Sequence, residues 1–315
     1  MIISASRRTD IPNYYSDWFF ERLKERKVCV RNPFQPRDVS LISLSRDVVD
    51  GFVFWTKNPR PMLKRLGELE GYPYYFQFTL NGYGPELEPG LPDKEKVLVP
   101  VFQELSESVG RERVIWRYDP ILVSPEYTVL RHQELFGRLA ENLAAYTQKV
   151  VISFLDPYAN IQRQMTRSAV QVPEAEQMEQ LARRISKIAA EYGLSVETCA
   201  EAGDYEAYGI RHGKCIDASL LARIFGEHLS TGKDTGQRRF CGCDVSIDIG
   251  AYHTCRNGCV YCYAGHKNQG EQEGKEDFKK SLLLEDVIRP DDVIRDRSIT
   301  SDRETQMSLD QFLII

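Results

Sequence analysis

Short apolar runs with the composition of β-strands alternate with helical patterns along most of this 315-residue chain. Gly51–Thr56 is almost continuously apolar, as a strand buried on both faces requires, and the periodic pattern over Glu174–Tyr192 indicates a helix that ends at Gly193. Such alternation is typical of repeated βαβ units, whose strands form one parallel sheet. Because about seven or eight strands can be placed, we predict an α/β fold built on a parallel (β/α) barrel, complete or partial and TIM-like.

Polar and charged side chains follow most of the predicted strands at the point where each strand ends. They are Arg7–Asp10, Lys57 with Asn58, Asn81, Arg117 with Asp119, Asp156, and Glu197. Taken singly, several of them are better explained as turn formers, because Asp-Pro and Asn-Pro pairs commonly start turns. In a parallel barrel, however, the carboxyl ends of the strands meet on one face, where active sites are built. As a group, these residues favour a site on that face.

Three cysteines near the end of the chain have the spacing Cys-x3-Cys-x2-Cys. Cys255, Cys259 and Cys262 follow a short alternating strand, Gly258 allows the backbone to turn between them, and a helix is expected to begin after the third cysteine. A zinc site would require a fourth ligand at matching spacing. A cubane iron–sulfur cluster can be held by three cysteines, which leaves one iron open. The alternatives are a zinc knuckle or a set of buried free cysteines.

This loop, with aromatic Tyr261 directly before the third cysteine, resembles the cluster loop of the radical S-adenosylmethionine superfamily. The resemblance implies a [4Fe–4S] cluster on Cys255, Cys259 and Cys262, with S-adenosylmethionine chelated by the open iron. Reductive cleavage of that cofactor would yield a 5′-deoxyadenosyl radical. The resemblance also implies that Tyr261 packs near the adenine.

The order of the predicted elements differs from the usual order in that superfamily, where the cluster loop follows the first strand. Here the loop follows the last strand. Since the first and last strands of a barrel are neighbours, we expect a circularly permuted barrel with the same geometry. Two segments, Ser6–Pro12 and Phe54–Asn58, resemble strand ends of the spore photoproduct lyase branch, the DNA-repair-photolyase-like radical enzymes. The chain as a whole also resembles a bacterial family of this layout, which implies no particular reaction.

The same resemblance implies which residues contact the cofactor. A Thr-Asp segment, here Thr9 and Asp10, would lie against S-adenosylmethionine, and Arg7 or Arg8 would pair with its carboxylate. A Thr-Lys segment places Lys57 beside the same cofactor.

Three strand-end residues remain as candidates for catalysis. Arg117 and Asp119 end one predicted strand, and Cys199 ends another. Cys199 is positioned to donate a hydrogen atom to a radical, although a small buried side chain is the simpler interpretation.

The other cysteines leave several interpretations open. Cys241 and Cys243 lie a dozen residues before the cysteine loop and are compatible with a metal centre, a redox-active pair or ordinary thiols. Cys29 and Cys215 are expected to have no role in the site.

Composition limits the cellular setting. The net charge of −5 does not indicate binding to duplex nucleic acid. A local basic groove is still compatible with that net charge, so the sequence leaves duplex binding open. No apolar run approaches membrane-spanning length, and the first residues lack the order of a signal peptide. Five of the eight cysteines lie between Cys241 and Cys262, which fits a metal site in a reducing compartment. We therefore predict a cytoplasmic protein without a membrane partner.

These features predict a radical S-adenosylmethionine enzyme with residues 1–265 as the barrel and residues 266–315 as a C-terminal extension that packs on it. Arginine and lysine at the strand ends indicate a polar or anionic substrate, and the resemblance to spore photoproduct lyase implies a nucleotide or a nucleic-acid lesion as an alternative to another small molecule. The chemistry implies an external electron donor of the flavodoxin or ferredoxin type. The alternative is a non-catalytic iron–sulfur or zinc protein with a redox-sensing or ligand-binding barrel. A hydrolase using Asp119, Asp156 and Glu197 ranks last because those carboxylates lack a histidine at metal spacing.

Overall fold

The computed structural model describes residues 1–265 and 278–304 of the chain. Its strands, in chain order, are β1 (Ile2–Ala5), β2 (Lys27–Arg31), β3 (Asp38–Ser43), β4 (Gly51–Thr56), β5 (Tyr74–Thr79), β6 (Val114–Ile121), β7 (Lys149–Phe154), β8 (Ser195–Thr198), β9 (Arg211–His212), β10 (Ser246–Asp248) and β11 (Val293–Asp296). Its α-helices are α1 (Ile11–Tyr14), α2 (Ser16–Glu25), α3 (Arg60–Leu63), α4 (Val99–Val109), α5 (Val129–Leu143), α6 (Gln162–Arg167), α7 (Ala175–Glu191) and α8 (Ala218–Phe225). The predicted strand at Gly51–Thr56 is confirmed, and the helix predicted at Glu174–Tyr192 matches α7 to within one residue at each end.

Eight strands form one sheet in the order β10-β1-β4-β5-β6-β7-β8-β9, and every pair in it is parallel. The predicted α/β fold with a large parallel sheet is therefore confirmed. The edge strands are β10 and β9, and the described residues contain no pairing between these two edges. The last strand of the sheet in sequence, β10, pairs with the first, β1, through Ile2 opposite Ser246 and Ile3 opposite Ile247.

Side chains alternate between the two faces of the sheet, as the two-residue period of a strand requires. We call one face outer and the other inner. The outer face packs against the amphipathic helices through Ile3, Phe52, Phe54, Phe76, Trp116 and Ile152 on the strands and Phe19, Phe102, Phe136, Leu181 and Ile185 on the helices. The inner face carries Ile2, Val53, Tyr75, Ile115 and Val151 in a separate apolar cluster.

Helix α8 and the segment before it cover the inner face near the start of the strands. Leu221 lies so close to β4 that a Cβ on Gly51 would stand 2.8 Å from its methyl carbons. Tyr75 donates its hydroxyl hydrogen to the carbonyl of Cys215 at 2.7 Å, and Gln77 donates to the same carbonyl at 2.8 Å. At the start of the strands the inner face is therefore apolar and covered by α8 and the segment before it. Towards the carboxyl ends of the strands it is polar.

Lys94–Leu98 forms a π-helical turn that continues directly into α4. One local prediction was wrong. Residues 259–265 form turns instead of the helix expected after Cys262. Gly265 ends this segment with a φ of 74°, which is incompatible with a right-handed helix.

A second, three-stranded sheet is formed by β2, β3 and β11, with β11 parallel to β3. Strand β11 belongs to the C-terminal segment 278–304, which also accepts a hydrogen bond from the Trp18 indole at the Ser281 carbonyl, 2.8 Å. The remainder of the predicted extension, residues 266–277 and 305–315, lies outside the described residues. None of the helices in the described ranges combines the length and apolarity needed to cross a bilayer.

Candidate active site

A cavity of about 440 Å³ opens where the parallel strands end. Twelve side chains predicted as metal ligands, cofactor contacts or catalytic residues line this one cavity. They are Arg7, Arg8, Thr9, Asp10, Lys57, Arg117, Asp119, Cys199, Cys255, Cys259, Tyr261 and Cys262. Of the other strand-end residues named in the sequence, Asp156 also lines the cavity, whereas Asn58, Asn81 and Glu197 do not. The volume lies in the range of cavities that enclose small-molecule ligands. The twelve residues therefore lie together, while a functional site there and the role of each residue stay predictions.

The cysteine loop is held in place by Asn257, which is buried and which the sequence reasoning missed. Its side-chain amide donates to Asp10 Oδ2 at 3.1 Å, and its Oδ1 accepts from the Tyr14 hydroxyl at 2.8 Å and the Asn13 amide at 3.3 Å. Its carbonyl accepts from the backbone N–H of Gly90 at 2.9 Å. The loop is thus fastened to α1 and to the segment after β5.

Asp10 connects three parts of the site. Its Oδ1 accepts from the backbone N–H of Asn13 at 3.1 Å and caps α1, while Oδ2 accepts from the backbone N–H of Lys57 at 2.8 Å as well as from Asn257. Burial raises the pKa of Asp10, and these hydrogen bonds work in the opposite direction. The carboxylate joins the end of β1, the end of β4 and the cysteine loop.

Tyr261 and Lys57 share a buried carboxylate, Glu88, that sequence reasoning also missed. Lys57 Nζ donates to Glu88 Oε1 at 2.7 Å, and both Lys94 and the Tyr261 hydroxyl donate to the same carboxylate. Burial alone would raise the pKa of Glu88, but the two ammonium groups lower it to about 2. Burial opposes the charge on Lys57, yet Glu88 and Cys259 raise its pKa. A charged lysine and an oriented tyrosine therefore face the cysteine loop.

The three loop cysteines are free thiols. Burial raises the pKa of each, that of Cys255 to about 12. Hydrogen bonding from backbone N–H groups acts in the opposite direction on the pKa of Cys255 and of Cys262. A bound metal would supply the further positive charge that buried thiolates require.

Among residues 1–265 and 278–304, no three His, Cys, Asp or Glu side chains are arranged around a point that a single metal ion would occupy. In an iron–sulfur cluster each cysteine binds a different iron atom, so the sulfurs do not need to converge on one point. The donor set of three buried or partly buried free thiols lining one cavity fits such a cluster. The cluster itself stays a prediction.

Arg7 and Arg8 are available to an anionic ligand. They lie 3.9 Å and 4.0 Å from Asp248, beyond hydrogen-bonding distance. The Asp248 oxygens already accept from Ser4 Oγ at 2.9 Å, Ser6 Oγ at 2.6 Å, and two backbone N–H groups. Asp248 therefore balances the charge of the arginines, each of which uses one guanidinium donor elsewhere, Arg7 on Ser246 Oγ at 3.3 Å and Arg8 on the Gly250 carbonyl at 3.5 Å.

Two polar atoms at the cavity have no hydrogen-bond partner among the described residues although both are buried. They are Thr9 Oγ1 and the indole nitrogen of Trp55. Buried polar groups are normally hydrogen-bonded. These two are therefore suited to bind a ligand in the cavity.

Arg117 and Asp119 lie on the opposite wall and are paired with each other. Arg117 Nε donates to Asp119 Oδ2 at 3.0 Å, and its guanidinium lies 4.9 Å from the Trp55 ring centre. Burial alone would raise the pKa of Asp119, but Arg117 and a hydrogen bond from Ser153 lower it. Both residues are therefore charged at neutral pH.

A comparison with known protein families assigns this chain to one of them. Residues 2–264 match the family described as Domain of unknown function (DUF1848). The chain belongs to the DUF1848 family. The matched region ends just after Cys262, so both the parallel sheet and the cysteine loop of this DUF1848 chain lie within it. No curated protein matches the sequence.

One residue that the sequence analysis set aside also lines the cavity. Cys215 precedes α8, lines the cavity, and lies 2.7 Å from Arg117 Nη1. No motif surrounds Cys215 in the sequence, and only the path of the chain across the inner face brings it here. Cys29, by contrast, is buried in a small cluster with Val39 and Leu283 away from this cavity.

Replacing Gly90 by alanine is expected to lower the free energy of unfolding by about 1–3 kcal/mol. The added Cβ would collide with the carbonyl oxygen of Arg256 and stand 2.7 Å from that of Asn257, and backbone atoms cannot rotate away. Urea denaturation measures this loss. Gly67→Ala is the control, because its Cβ meets nothing within 4 Å, and it should change stability by no more than about 0.5 kcal/mol. Equal effects of the two substitutions would contradict the close approach.

Proposed function

We propose that this protein is a radical S-adenosylmethionine enzyme. The observation that carries the proposal is that three free cysteines in Cys-x3-Cys-x2-Cys spacing share one cavity with every other residue predicted for cofactor binding. The spacing alone is a common short pattern, but its position at the carboxyl ends of a parallel sheet is where such folds build active sites.

The proposed metal ligands are Cys255, Cys259 and Cys262. When bound there, a [4Fe–4S] cluster would supply one electron that cleaves S-adenosylmethionine to methionine and a 5′-deoxyadenosyl radical. An external donor of the flavodoxin or ferredoxin type would deliver that electron. The protein's own contribution is to hold the three thiols on one short loop at the cavity and to shield them from water.

The cofactor would be held by polar residues that line the cavity. Arg7 and Arg8 would pair with its carboxylate, and Thr9 would contribute its unpartnered hydroxyl, with Asp10 beside it. The ring of Tyr261, fixed through its hydroxyl to Glu88, would pack near the adenine. Lys57 would contribute positive charge at the same wall.

We further infer that the sheet is a partial barrel, circularly permuted relative to most radical S-adenosylmethionine enzymes. The parallel pairing of β10 with β1 supports this, because it sets the cysteine loop beside the end of β1 although the loop comes last in sequence. The two edge strands would then flank an open side.

The substrate would be polar or anionic, a small molecule or a nucleotide-like group. It would lie against Arg117 and Asp119, with Cys199 on the same wall as a hydrogen donor. A dry, enclosed site protects a radical from water and orients the substrate. Duplex nucleic acid is not assigned as a partner.

Anaerobic reconstitution with iron and sulfide, followed by dithionite and S-adenosylmethionine, tests the proposal through the formation of 5′-deoxyadenosine. Wild type and a Cys29→Ala control should form the product, because Cys29 lies away from the cavity. Cys259→Ala should form none and should retain less iron. Circular dichroism of the variants verifies that both are folded.

Two results would contradict the proposal. A brown protein that never cleaves the cofactor would indicate a redox-sensing or electron-carrying cluster. A colourless protein that retains zinc at the cysteine loop would indicate a zinc-stabilised knuckle.

A further inference from the structure

Four more cysteines meet at the wall of the cavity, and three separate segments bring them there. Cys199 follows β8, Cys215 precedes α8, and Cys241 and Cys243 precede β10. All four line the cavity, and all four are free thiols. Residues far apart in sequence have thus been gathered in one place.

The four thiols lie together. Cys199 Sγ lies 3.1 Å from Cys215 Sγ. Cys215, Cys241 and Cys243 belong to one buried cluster, and Cys199 packs against it. The backbone N–H of Ile216, the residue after Cys215, donates to Cys243 Sγ at 3.4 Å. Cys243 therefore lies beside Cys215, and Cys241 is two residues from Cys243 along the chain.

The surroundings set Cys241 apart from the other three thiols. Interactions among the thiols together with burial raise the pKa of Cys199 and Cys243, and that of Cys215 to about 11. The guanidinium of Arg117 lies against Cys215 Sγ at 2.7 Å and would stabilise a negative sulfur there. Hydrogen bonding from Cys243 lowers the pKa of Cys241 to about 7 despite partial burial. A thiol with a pKa near the ambient pH is the best attacking group in thiol–disulfide exchange. Cys241 is only 6% exposed, and a small disulfide would reach it through the cavity that it lines.

The spacing does not suit a single metal ion. Four thiolates around zinc at about 2.3 Å lie roughly 3.8 Å from one another. The 3.1 Å between Cys199 and Cys215 is shorter, and the described residues contain no group of three ligands arranged for one ion.

We propose that these four cysteines form a thiol–disulfide relay that passes two electrons between a low-molecular-weight thiol or disulfide and the cavity wall. A disulfide RSSR would be attacked by the Cys241 thiolate, which releases one RS⁻ and leaves a Cys241–S–S–R mixed disulfide. Cys243 then displaces the second RS⁻. Two further exchanges pass the disulfide first to Cys215 and then to Cys199.

Overall, RSSR and the thiols of Cys199 and Cys215 react to give two RSH and a Cys199–Cys215 disulfide. In the reverse direction, two RSH reduce this disulfide and so bring two electrons and two protons to the cavity. The 3.1 Å between these sulfurs must shorten by roughly 1 Å to reach bonding distance. Transient disulfides of this kind are compatible with a reducing compartment. The relay requires neither an iron–sulfur cluster nor S-adenosylmethionine and stands apart from the proposed function.

Peptide mapping of the folded, full-length protein tests the relay. The protein is incubated with oxidised glutathione, alkylated and digested with trypsin, which separates Cys199 in residues 188–211 from Cys215 in residues 215–223. The expected main oxidation product is the cross-link of these two peptides. Tandem mass spectra separate the thiols of residues 240–256, which carry Cys241, Cys243 and Cys255.

The variants test the order of transfer. Cys241→Ser should slow formation of the Cys199–Cys215 cross-link by about tenfold or more, because it removes the attacking thiol. Cys29→Ser should leave the rate unchanged. Wild-type protein that gains only glutathione adducts, or that stays fully reduced, would overturn the relay. So would a bound metal whose stoichiometry falls in Cys215→Ser but not in Cys29→Ser.

Discussion

Glu88→Gln is expected to lower the free energy of unfolding by about 3–5 kcal/mol at neutral pH. The Glu88 side chain is fully buried and neutralises both Lys57 and Lys94, whose side chains are themselves only 13% and 14% exposed. Glutamine preserves the shape but leaves two ammonium groups without a countercharge. Urea denaturation of the wild type and the variant measures the loss.

Glu68→Gln is the matched control for this prediction. Glu68 also pairs with a cation, Arg65, but it is 49% exposed, so its loss should cost no more than about 1 kcal/mol. Equal destabilisation by the two substitutions would show that the buried group of Glu88, Lys57 and Lys94 does not stabilise this wall of the cavity.

The same carboxylate predicts a dependence on pH. The pKa of Glu88 is about 2 in the folded protein and 4.5 in its ordinary, unfolded environment. Because the folded pKa is the lower one, the stabilisation is complete above the unfolded pKa and is lost as the pH falls towards 2. Between about pH 6 and pH 3, the unfolding free energy of wild type should therefore fall further than that of Glu88→Gln. Parallel curves would contradict the assignment.

Asp10→Ala is expected to cost on the order of 3 kcal/mol of stability, because it removes a helix cap and leaves three donors, from Asn13, Lys57 and Asn257, without their acceptor. It should also loosen the cysteine loop. By analogy with residues that orient metal ligands, reconstituted iron affinity should fall by about 10- to 100-fold. Iron and sulfide content after reconstitution measures the second effect, and thermal denaturation the first.

Asp93→Ala separates this effect from simple loss of a cap. Asp93 is an exposed aspartate that accepts one backbone bond, from Lys96 at 2.8 Å, so its removal should cost about 1 kcal/mol and leave iron content unchanged. An Asp10→Ala protein that behaves like Asp93→Ala would show that Asp10 does not hold the loop.

Much of the site could be predicted because its residues follow strand ends. Arg117 and Asp119 are separated by two positions on β6, and a strand presents such residues on one face. Parallel strands then bring residues from different parts of the chain, such as Lys57 and Cys199, to one edge of the sheet. Periodicity and parallel order were therefore enough to place them together.

Other site residues carry no such signal. Glu88 and Asn257 lie in loops, and their importance comes from the partners that other segments bring to them. Cys215 belongs to a segment that crosses the inner face and is held there by Tyr75 and Gln77. Contacts of this kind depend on the packing of distant segments, and local propensity and residue spacing do not predict them.

The sequence by itself determined the α/β class, the parallel sheet and the position of the cysteine loop at a strand end, because these follow from the periods of strands and helices and from short spacings. Only the tertiary structure decided that the sheet has two unpaired edges within the described residues, that Glu88 neutralises Lys57, and that four further thiols adjoin the same cavity. Those features arise from the path of loops and of α8 over the inner face. The burial of apolar surface and the pairing of charges between distant segments set that path. A local sequence pattern does not contain this information.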